Sequence, residues 1–267
     1  MHPLAQFPRD ALRQIDGVLT DIDDTLTTGG RLTAAAYSAM ERLRDAGLLV
    51  IPITGRPAGW CDHIARMWPV DAVVGENGAF WMRHDDALRR LRTVHVADPA
   101  TLDARRAQLS RLAEDILAAV PGCALASDQR YRIADLAVDF CEDVSPLPPA
   151  AVDEIVRRMR AHGLTAKVSS IHVNGWFGDY DKLSTTRRLL AQEFARDADA
   201  ERERWIFAGD SPNDEPMFAF FPNAVGVANV AQHAGRMSAL PAWVTPSPCG
   251  AGFVEIAEAL LAARAGA

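Results

Sequence analysis

Two carboxylates at the end of an apolar stretch give the first indication of chemistry. Asp21 and Asp23 close the stretch 17–23, and two carboxylates separated by one residue can both project from a strand end if the chain turns there. One can attack phosphorus while the other handles the leaving-group proton. A calcium loop counted from Asp21 would need Gly sixth and Glu twelfth, where the chain has Leu26 and Leu32. The pattern favours a catalytic pair, with an ordinary acidic loop as the alternative.

A second acidic segment follows another apolar stretch, 205–208. Asp210 and Asp214 enclose a hydroxyl and an amide, those of Ser211 and Asn213. Carboxylate, hydroxyl and amide oxygens are ligands that Mg²⁺ takes in proteins, so the segment is a candidate metal site. The same residue types are frequent in turns, and an ordinary turn is the alternative.

Two further segments could hold a phosphoryl group. Thr54 and Gly55 come directly after the apolar stretch 48–53, and a hydroxyl with a backbone N–H after a glycine can hold a phosphoryl oxygen at a helix N-terminus. Lys182 stands at the start of a predicted helix. Each signal is weak alone, since an ordinary loop and a solvated surface lysine explain them equally well.

The elements that carry these residues alternate between strand and helix. Apolar stretches and helical segments alternate up to about residue 82 and again from Asp181. The uninterrupted apolar character of 48–53 is typical of a parallel strand that is covered on both faces. The pattern predicts an α/β fold with a doubly wound sheet.

The middle of the chain has a different pattern. Long helices are predicted over 98–119 and 148–162, with strands at 124–126, 136–140 and 166–173. Helices segregated from such strands are typical of an α+β unit. This unit interrupts the α/β domain. We predict a core of residues 1–83 and 177–267 and an inserted domain of residues 84–176.

Composition narrows the function classes. The chain has 267 residues and a formal net charge of −7, which disfavours a nucleic-acid partner because phosphate backbones attract basic surfaces. No stretch approaches the roughly 20 apolar residues of a membrane span, and no secretory signal is visible. The four cysteines form no CxxC pair, so that reduced thiols in a cytoplasmic protein are expected, with two disulfides as the alternative.

The four segments together resemble the haloacid dehalogenase (HAD) superfamily. Its four motifs occur here in order, as residues 21–25, Thr54, Lys182, and Asp210 with Asp214. The long insert after the second motif, and the sequence Gly-Glu-Asn-Gly-Ala at 75–79, are similar to the class IIB group with an α+β cap. The resemblance therefore implies a Rossmann-like HAD core with an inserted cap domain.

The resemblance also implies roles for individual residues. Asp21 would be the nucleophile and Asp23 the general acid and later the base. Thr54 and Gly55 would bind the transferring phosphoryl group, and Lys182 would neutralise its charge.

The metal ligands follow from the same resemblance. Mg²⁺ would be held by Asp21, Asp210 and Asp214 and by the backbone carbonyl of Asp23, while Asn213 would support the loop. One position departs from the family pattern, because many relatives have Gly where this chain has Asp24. We expect the Asp24 side chain to point to solvent.

Substrate choice is expected to depend on the cap. Polar residues of the insert that could contact a leaving group are Asp128, Gln129, Arg130, Arg132, Lys167, Ser169, Ser170, His172 and Asn174. Arg130 and Lys167 could bind a second anionic group, whereas Asp128, His172 and Asn174 could bind sugar hydroxyls. Asn77 could contribute from the core rim. An exposed sheet face is the alternative for each of them.

The resulting prediction is a Mg²⁺-dependent phosphomonoesterase that acts through a phospho-aspartate intermediate on a small phosphorylated metabolite, a sugar phosphate in particular. A phosphotransferase or phosphomutase is the enzymatic alternative, because phosphomannomutases share this cap class and nucleophile. A non-catalytic ligand sensor on the same fold is the alternative of another class. The presence of Asp21, Asp23, Lys182 and Asp210 favours an enzyme.

Overall fold

The computed structural model describes residues 1–265. The α-helices in this range are α1 (Arg9–Arg13), α2 (Ala34–Asp45), α3 (Ala58–Met67), α4 (Pro99–Ala119), α5 (Pro149–Ala161), α6 (Lys182–Phe194), α7 (Glu215–Phe220) and α8 (Cys249–Ala265). The strands are β1 (His2–Pro3), β2 (Gly17–Thr20), β3 (Thr27–Thr28), β4 (Arg31–Leu32), β5 (Leu49–Pro52), β6 (Val73–Gly75), β7 (Phe80–Asp85), β8 (Arg90–His95), β9 (Ala124–Leu125), β10 (Asp135–Asp139), β11 (Thr165–Val168), β12 (His172–Trp176), β13 (Trp205–Gly209), β14 (Val225–Gly226) and β15 (Trp243–Val244).

A six-stranded sheet forms the centre of the larger domain. Its order is β1-β15-β14-β13-β2-β5, and every neighbouring pair is parallel. Alternate residues of β2 face opposite layers: Val18 packs with α2 and α8, and Leu19 packs with α6 and α7. A strand covered on both faces needs continuous apolar character, which explains the sequence pattern. The predicted α/β fold class is confirmed.

A smaller antiparallel sheet, β6-β7-β8, extends this domain. Strand β8 was not predicted, although polar and apolar residues alternate along it as in a half-buried strand. Trp81 and Val94 of the hairpin pack into the same core as α6, and the Trp81 Nε1 donates a hydrogen bond to Glu193 at 3.1 Å. The packing therefore places the hairpin with the core. We propose that the insert begins at α4, later than the predicted boundary between residues 83 and 84.

The inserted unit has its own sheet and its own core. Its four antiparallel strands have the order β11-β12-β10-β9, and α4 and α5 cover one face around a separate apolar cluster. We refer to residues 98–176 as the cap. The predicted strand 166–173 is wrong as a single strand: a turn at 169–171 divides β11 from β12. The Ser169 hydroxyl closes this turn by accepting the backbone N–H of His172 at 3.0 Å.

Two further expectations can be compared with the described residues. The four cysteines are free thiols, as expected. Within residues 1–265, no helix combines the length and apolar character that crossing a membrane requires.

Candidate active site

Three neighbouring strands of the central sheet bring the predicted motifs to one edge. Asp21 follows β2, Thr54 lies two residues beyond β5, and Asp210 follows β13. Because these strands are parallel, their carboxyl ends meet at the same edge, which is where open α/β sheets bind ligands. The backbone N–H of Asp21 donates to Ala208 O at 2.8 Å. This bond fixes the end of β2 against β13.

Lys182 is completely enclosed at the same edge. Its Nζ donates to Asp21 Oδ1 at 2.8 Å and to Asp214 Oδ1 at 2.7 Å. Asp181 caps the N-terminus of α6 by accepting the N–H of Ser184 at 2.7 Å, which fixes where the helix begins. Burial opposes the charge of Lys182, but the two carboxylates raise the pKa of this ammonium above its ordinary value. Lys182 therefore stays charged next to the nucleophile candidate.

Three carboxylates converge beside this ammonium. Asp21, Asp210 and Asp214 each offer an oxygen, and these oxygens lie within 4.8 Å of one another. Burial raises the pKa of Asp21 to about 7. Burial, followed by the charges of Asp21 and Asp214, also raises the pKa of Asp210 well above its ordinary range. One ammonium does not balance three carboxylates, and an all-oxygen donor set with excess negative charge fits Mg²⁺.

Neighbouring residues hold the acidic loop in place. The Asp214 Oδ2 accepts the backbone N–H of Asp210 at 3.0 Å. The Asp210 carboxylate accepts hydrogen bonds from Thr25 Oγ1 at 3.1 Å and from Asn229 Nδ2 at 2.9 Å. Asn229 was not predicted as a site residue. Its position in the sequence could have indicated a role at the site, since Asn229 follows β14, the strand next to β13 in the sheet.

The phosphoryl-binding candidates lie opposite the acidic loop. Thr54 is buried, and its hydroxyl accepts the backbone N–H of Arg56 at 3.0 Å. Asn77 joins this segment to the acidic loop, because its Oδ1 accepts from Asn213 Nδ2 at 3.2 Å. A Cβ at position 55 would lie 3.1 Å from Asn77 Nδ2. Gly55 therefore leaves room for Asn77 to approach the backbone.

Arg56 is a buried cation that the sequence analysis left without a role. Its Nε donates to Asp23 Oδ1 at 2.9 Å, and its Nη2 donates to Glu142 Oε1 of the cap at 2.7 Å. The guanidinium also stacks on Trp60, 4.4 Å from the ring centroid. Arg56 thus ties the general-acid candidate to the cap. Its signal in the sequence was its position directly after Thr54 and Gly55.

A second buried contact fixes the cap to the core. The Glu76 carboxylate accepts the backbone N–H groups of Ile133 and Ala134 at 3.0 and 2.7 Å. From the cap, Arg132 donates to Gly55 O at 2.8 Å. Burial, followed by the charge of Asp135, raises the pKa of Glu76 to about 8. The segment around 128–135 is therefore anchored beside the phosphoryl-binding candidates.

Cap and core enclose a small cavity between them. Its volume is about 10 Å³, and its lining residues are Asp21, Asp23, Gly55, Arg56, Ser169, Ile171, His172, Asn174 and Asn213. Such a cavity holds about one water molecule, so a phosphate ester requires the cap to move. The structure represents the closed arrangement.

The predicted cap residues separate into two groups. His172 and Asn174 line the cavity, and His172 Nε2 lies 2.9 Å from Glu142 Oε2. Arg130 does not reach the cavity: it is exposed and stacks on Tyr131, 4.7 Å from the ring centroid. The structure therefore brings His172 and Asn174, with Ser169, to the cavity and leaves Arg130 away from it.

Asp24 differs from the expectation that it points to solvent. The residue is only partly exposed, and its φ of 55° lies in the left-handed region. Burial raises the pKa of its carboxyl, and the side chain of Ser170 in the cap turn opposes this shift. A left-handed backbone explains why glycine suits this position in relatives, and aspartate is among the residues that tolerate it.

The sequence is similar to a known family and to a known phosphatase. Residues 18–97 match the model of a haloacid dehalogenase-like hydrolase family. A phosphoglycolate phosphatase of Methanoculleus marisnigri is 27% identical over 240 residues, which cover 89% of this chain and 93% of the relative.

Solved structures share the fold at lower identity. A Thermoplasma acidophilum protein has a TM-score of 0.68 and 18% identity, covering 92% of this chain and 98% of that one. The sucrose-phosphatase of Synechocystis, solved with sucrose and phosphate, has a TM-score of 0.60 and 18% identity, covering 93% and 98%. The comparisons agree with the predicted enzyme class, a phosphatase, and residues 18–97 of the chain are similar to the haloacid dehalogenase-like hydrolases.

Proposed function

We propose that this phosphatase is a Mg²⁺-dependent phosphomonoesterase with Asp21 as its nucleophile and a small phosphorylated metabolite, such as a sugar phosphate, as its substrate. The observation that carries the proposal is the position of Asp21, which lines the closed cavity while Lys182 holds its Oδ1. Asp23 lines the same cavity. A nucleophile and a proton donor therefore face one small enclosed space.

Two chemical steps follow from this arrangement. In the first, an Asp21 carboxylate oxygen attacks phosphorus, the ester P–O bond breaks, and Asp23 gives its proton to the leaving oxygen. In the second, water attacks phosphorus, its proton returns to Asp23, and the acyl phosphate bond breaks to free Asp21. The ammonium of Lys182, buried against Asp21, opposes the negative charge that gathers on the phosphoryl oxygens.

The other site residues position the phosphoryl group. The Thr54 hydroxyl and the Gly55 N–H are the proposed donors to its oxygens. Asp21, Asp210 and Asp214, with the carbonyl of Asp23, would hold Mg²⁺, which supplies electrostatic stabilisation of the transferring group when bound. Cap closure keeps bulk water from the acyl phosphate until the leaving group departs.

The proposal of a sugar phosphate rests on the residues that line the cap side of the cavity. Ser169, His172 and Asn174 place hydrogen-bonding side chains at the cavity, and sucrose bound to the Synechocystis relative is a polyol. A panel of phosphorylated metabolites assayed for phosphate release tests the proposal. Phosphate transfer to a second sugar without net release would instead indicate the phosphotransferase alternative, and ligand binding without any turnover would indicate a sensor.

Removal of metal is expected to abolish turnover. A chelator should abolish activity, and added Mg²⁺ should restore it. The reason is that the three clustered carboxylates share one ammonium and their oxygens repel one another without a further cation. Mg²⁺ at about 100 times its Kd should stabilise the fold by about 2.7 kcal/mol, measured as a rise in Tm. Turnover that survives exhaustive chelation would refute the metal assignment.

Asp23→Asn is expected to slow the first chemical step by a factor that depends on the leaving group of the ester. Alkyl phosphates need a proton on the departing oxygen, so their single-turnover rate should fall about 10²- to 10⁴-fold. The burst of p-nitrophenol from p-nitrophenyl phosphate should fall less than about tenfold, because that leaving group departs without a proton. Rapid-quench kinetics measure both. An equal loss for the two esters would show that Asp23 positions Arg56 or the loop and donates no proton.

A further inference from the structure

The face of the cap sheet that α4 and α5 leave uncovered is directed toward the core. His172 and Asn174 of β12 stand on this face and line the cavity, while Val173 between them packs in the cap core. In the β11–β12 pair, Lys167 is the direct partner of Asn174. Cross-strand partners project from the same face with Cβ atoms roughly 4.5–5.5 Å apart. Lys167 therefore stands beside a residue of the cavity wall.

The other cations around the cavity are already matched by carboxylates. Lys182 is held by Asp21 and Asp214. Arg56 is held by Asp23 and Glu142. A leaving group with its own negative charge would have to displace one of these carboxylates to bind either cation.

Arg132 is matched in the same way. It lies between Asp128 and Asp135, with ion pairs of 3.0 and 3.1 Å. It is also buried and donates to Gly55 O. Arg132 therefore anchors the cap to the core, and its charge is already paired with carboxylates and is not available to a ligand.

Lys167 differs from these cations. Its backbone pairs with Asn174 in the sheet, but in the part of the chain that the structure describes its side chain makes no hydrogen bond and no ion pair, and the residue is only partly exposed. Strand β11 packs beside the segment Pro212–Asp214 of the acidic loop. Lys167 therefore lies on the strand that packs beside the acidic loop, and its charge has no partner among the described residues.

The composition of the chain sets Lys167 apart from the other cations. The chain has 28 basic side chains, and only two are lysines: Lys182 and Lys167. A lysine presents a compact charge on a flexible four-carbon stem, whereas an arginine presents a planar fork. The one other lysine of the chain is the buried cation that faces the phosphoryl site. A compact ammonium at position 167 can bind a carboxylate or a phosphate as a point charge, without the bidentate geometry of an arginine.

We propose that Lys167 is a specificity residue that binds a second anionic group, a carboxylate or a phosphate, on the leaving group of the substrate. The inference rests on the proposed phosphatase function and sharpens its substrate class. The preferred ester would combine hydroxyls, for His172 and Asn174, with an acid group for Lys167. Phosphate esters of hydroxy acids and sugar acids form this class, because their leaving group carries a carboxylate. Sugar bisphosphates are the other candidates, because their second phosphate supplies the negative charge.

The test compares three esters in the wild type, Lys167→Gln and Lys167→Arg. They are 2-phosphoglycolate with a carboxylate, fructose 1,6-bisphosphate with a second phosphate, and glucose 6-phosphate with a neutral leaving group. Lys167→Gln is expected to lower kcat/KM for the anionic ester relative to glucose 6-phosphate by about 10- to 100-fold, through a higher KM. Lys167→Arg should recover part of this ratio. Whichever anionic ester shows the effect identifies the acid group.

Arg111→Gln is the matched control. Arg111 is an exposed cation on α4, the helix that covers the opposite face of the cap sheet, so that its loss should leave the ratio unchanged. An equal loss for all three esters in Lys167→Gln, or an equal change in Arg111→Gln, would overturn the proposal, because either result reflects folding or general electrostatics.

A binding measurement separates this inference from the proposed function. In an Asp21→Asn background, calorimetry compares the affinity for 2-phosphoglycolate and for fructose 1,6-bisphosphate with and without Lys167→Gln. A 10- to 100-fold weaker Kd is expected for at least one of them, by about the same factor as in kinetics. Unchanged affinity for both overturns the role of Lys167 even if the enzyme is an active phosphatase. Absent turnover of every ester with a retained affinity difference would instead overturn the proposed function alone.

Discussion

Asp21→Asn is expected to lower phosphatase turnover by more than about 10⁴-fold, because an amide cannot attack phosphorus and loss of a nucleophile removes the whole covalent route. The fold should survive. Asn has nearly the same shape, and Lys182 keeps its partner Asp214 at 2.7 Å. Burial raises the pKa of Asp21 to about 7, so its charge is disfavoured in the folded protein at neutral pH. Without metal, the neutral amide should therefore leave Tm equal or higher.

Asp24→Asn is the matched control for this experiment. It makes the same chemical change three residues away, and asparagine also tolerates the left-handed backbone at this position. We expect its turnover to stay within about tenfold of the wild type. Phosphate release by Asp21→Asn at a rate near that of Asp24→Asn would rule out the phospho-aspartate route. Mass spectrometry of the wild type after rapid quenching should locate the transient phosphate on Asp21.

The residues at the strand ends could be predicted because a single physical rule governs them. Strands β2, β5 and β13 are buried on both faces, so their sequences are uninterrupted apolar runs. The polar residues that follow, Asp21 and Asp210, stand out against these runs. A parallel sheet then brings successive strand ends to one edge, whatever their separation along the chain.

Contacts between cap and core could not be predicted in the same way. Arg56 meets Glu142 across 86 residues, and Glu76 meets Ala134 across 58. Neither pair follows a helix or strand period, since the partners are brought together by the docking of two separately folded units. Such residues look like ordinary surface charges in a sequence, although Arg56 and Glu76 are buried.

The same contacts indicate how opening of the cap connects to the chemistry. Movement of the cap away from the core would separate Glu142 from Arg56 and leave Asp23 as the carboxylate of the core that still pairs with the guanidinium. Closure brings Glu142 back to Arg56 and places the turn 169–171 over the cavity. The position of the cap therefore determines which carboxylates share Arg56, and with it the surroundings of the proposed general acid.

Lys182→Met is expected to have the largest effect on stability. The substitution leaves Asp21 and Asp214 buried without the ammonium that both contact, and removing one partner of a buried ion pair costs roughly 3–5 kcal/mol. Urea unfolding without Mg²⁺ measures this loss. It should grow as pH rises through about 7, the pKa of Asp21 in the folded wild type, because without the ammonium the Asp21 carboxyl keeps its proton to higher pH in the folded variant.

The only other lysine of the chain supplies the control. Lys167→Met removes the same charge from a partly exposed position without an ion pair, so its effect on stability should stay within about 0.5 kcal/mol. Mg²⁺ should reduce the destabilisation of Lys182→Met, since a divalent cation in the carboxylate cluster opposes the same repulsion. It should not restore turnover, because the transferring phosphoryl group still lacks the ammonium beside the nucleophile. Equal stability of the two variants would mean that Asp21 and Asp214 are protonated or solvated in the folded protein, and that Lys182 does not hold the cluster together.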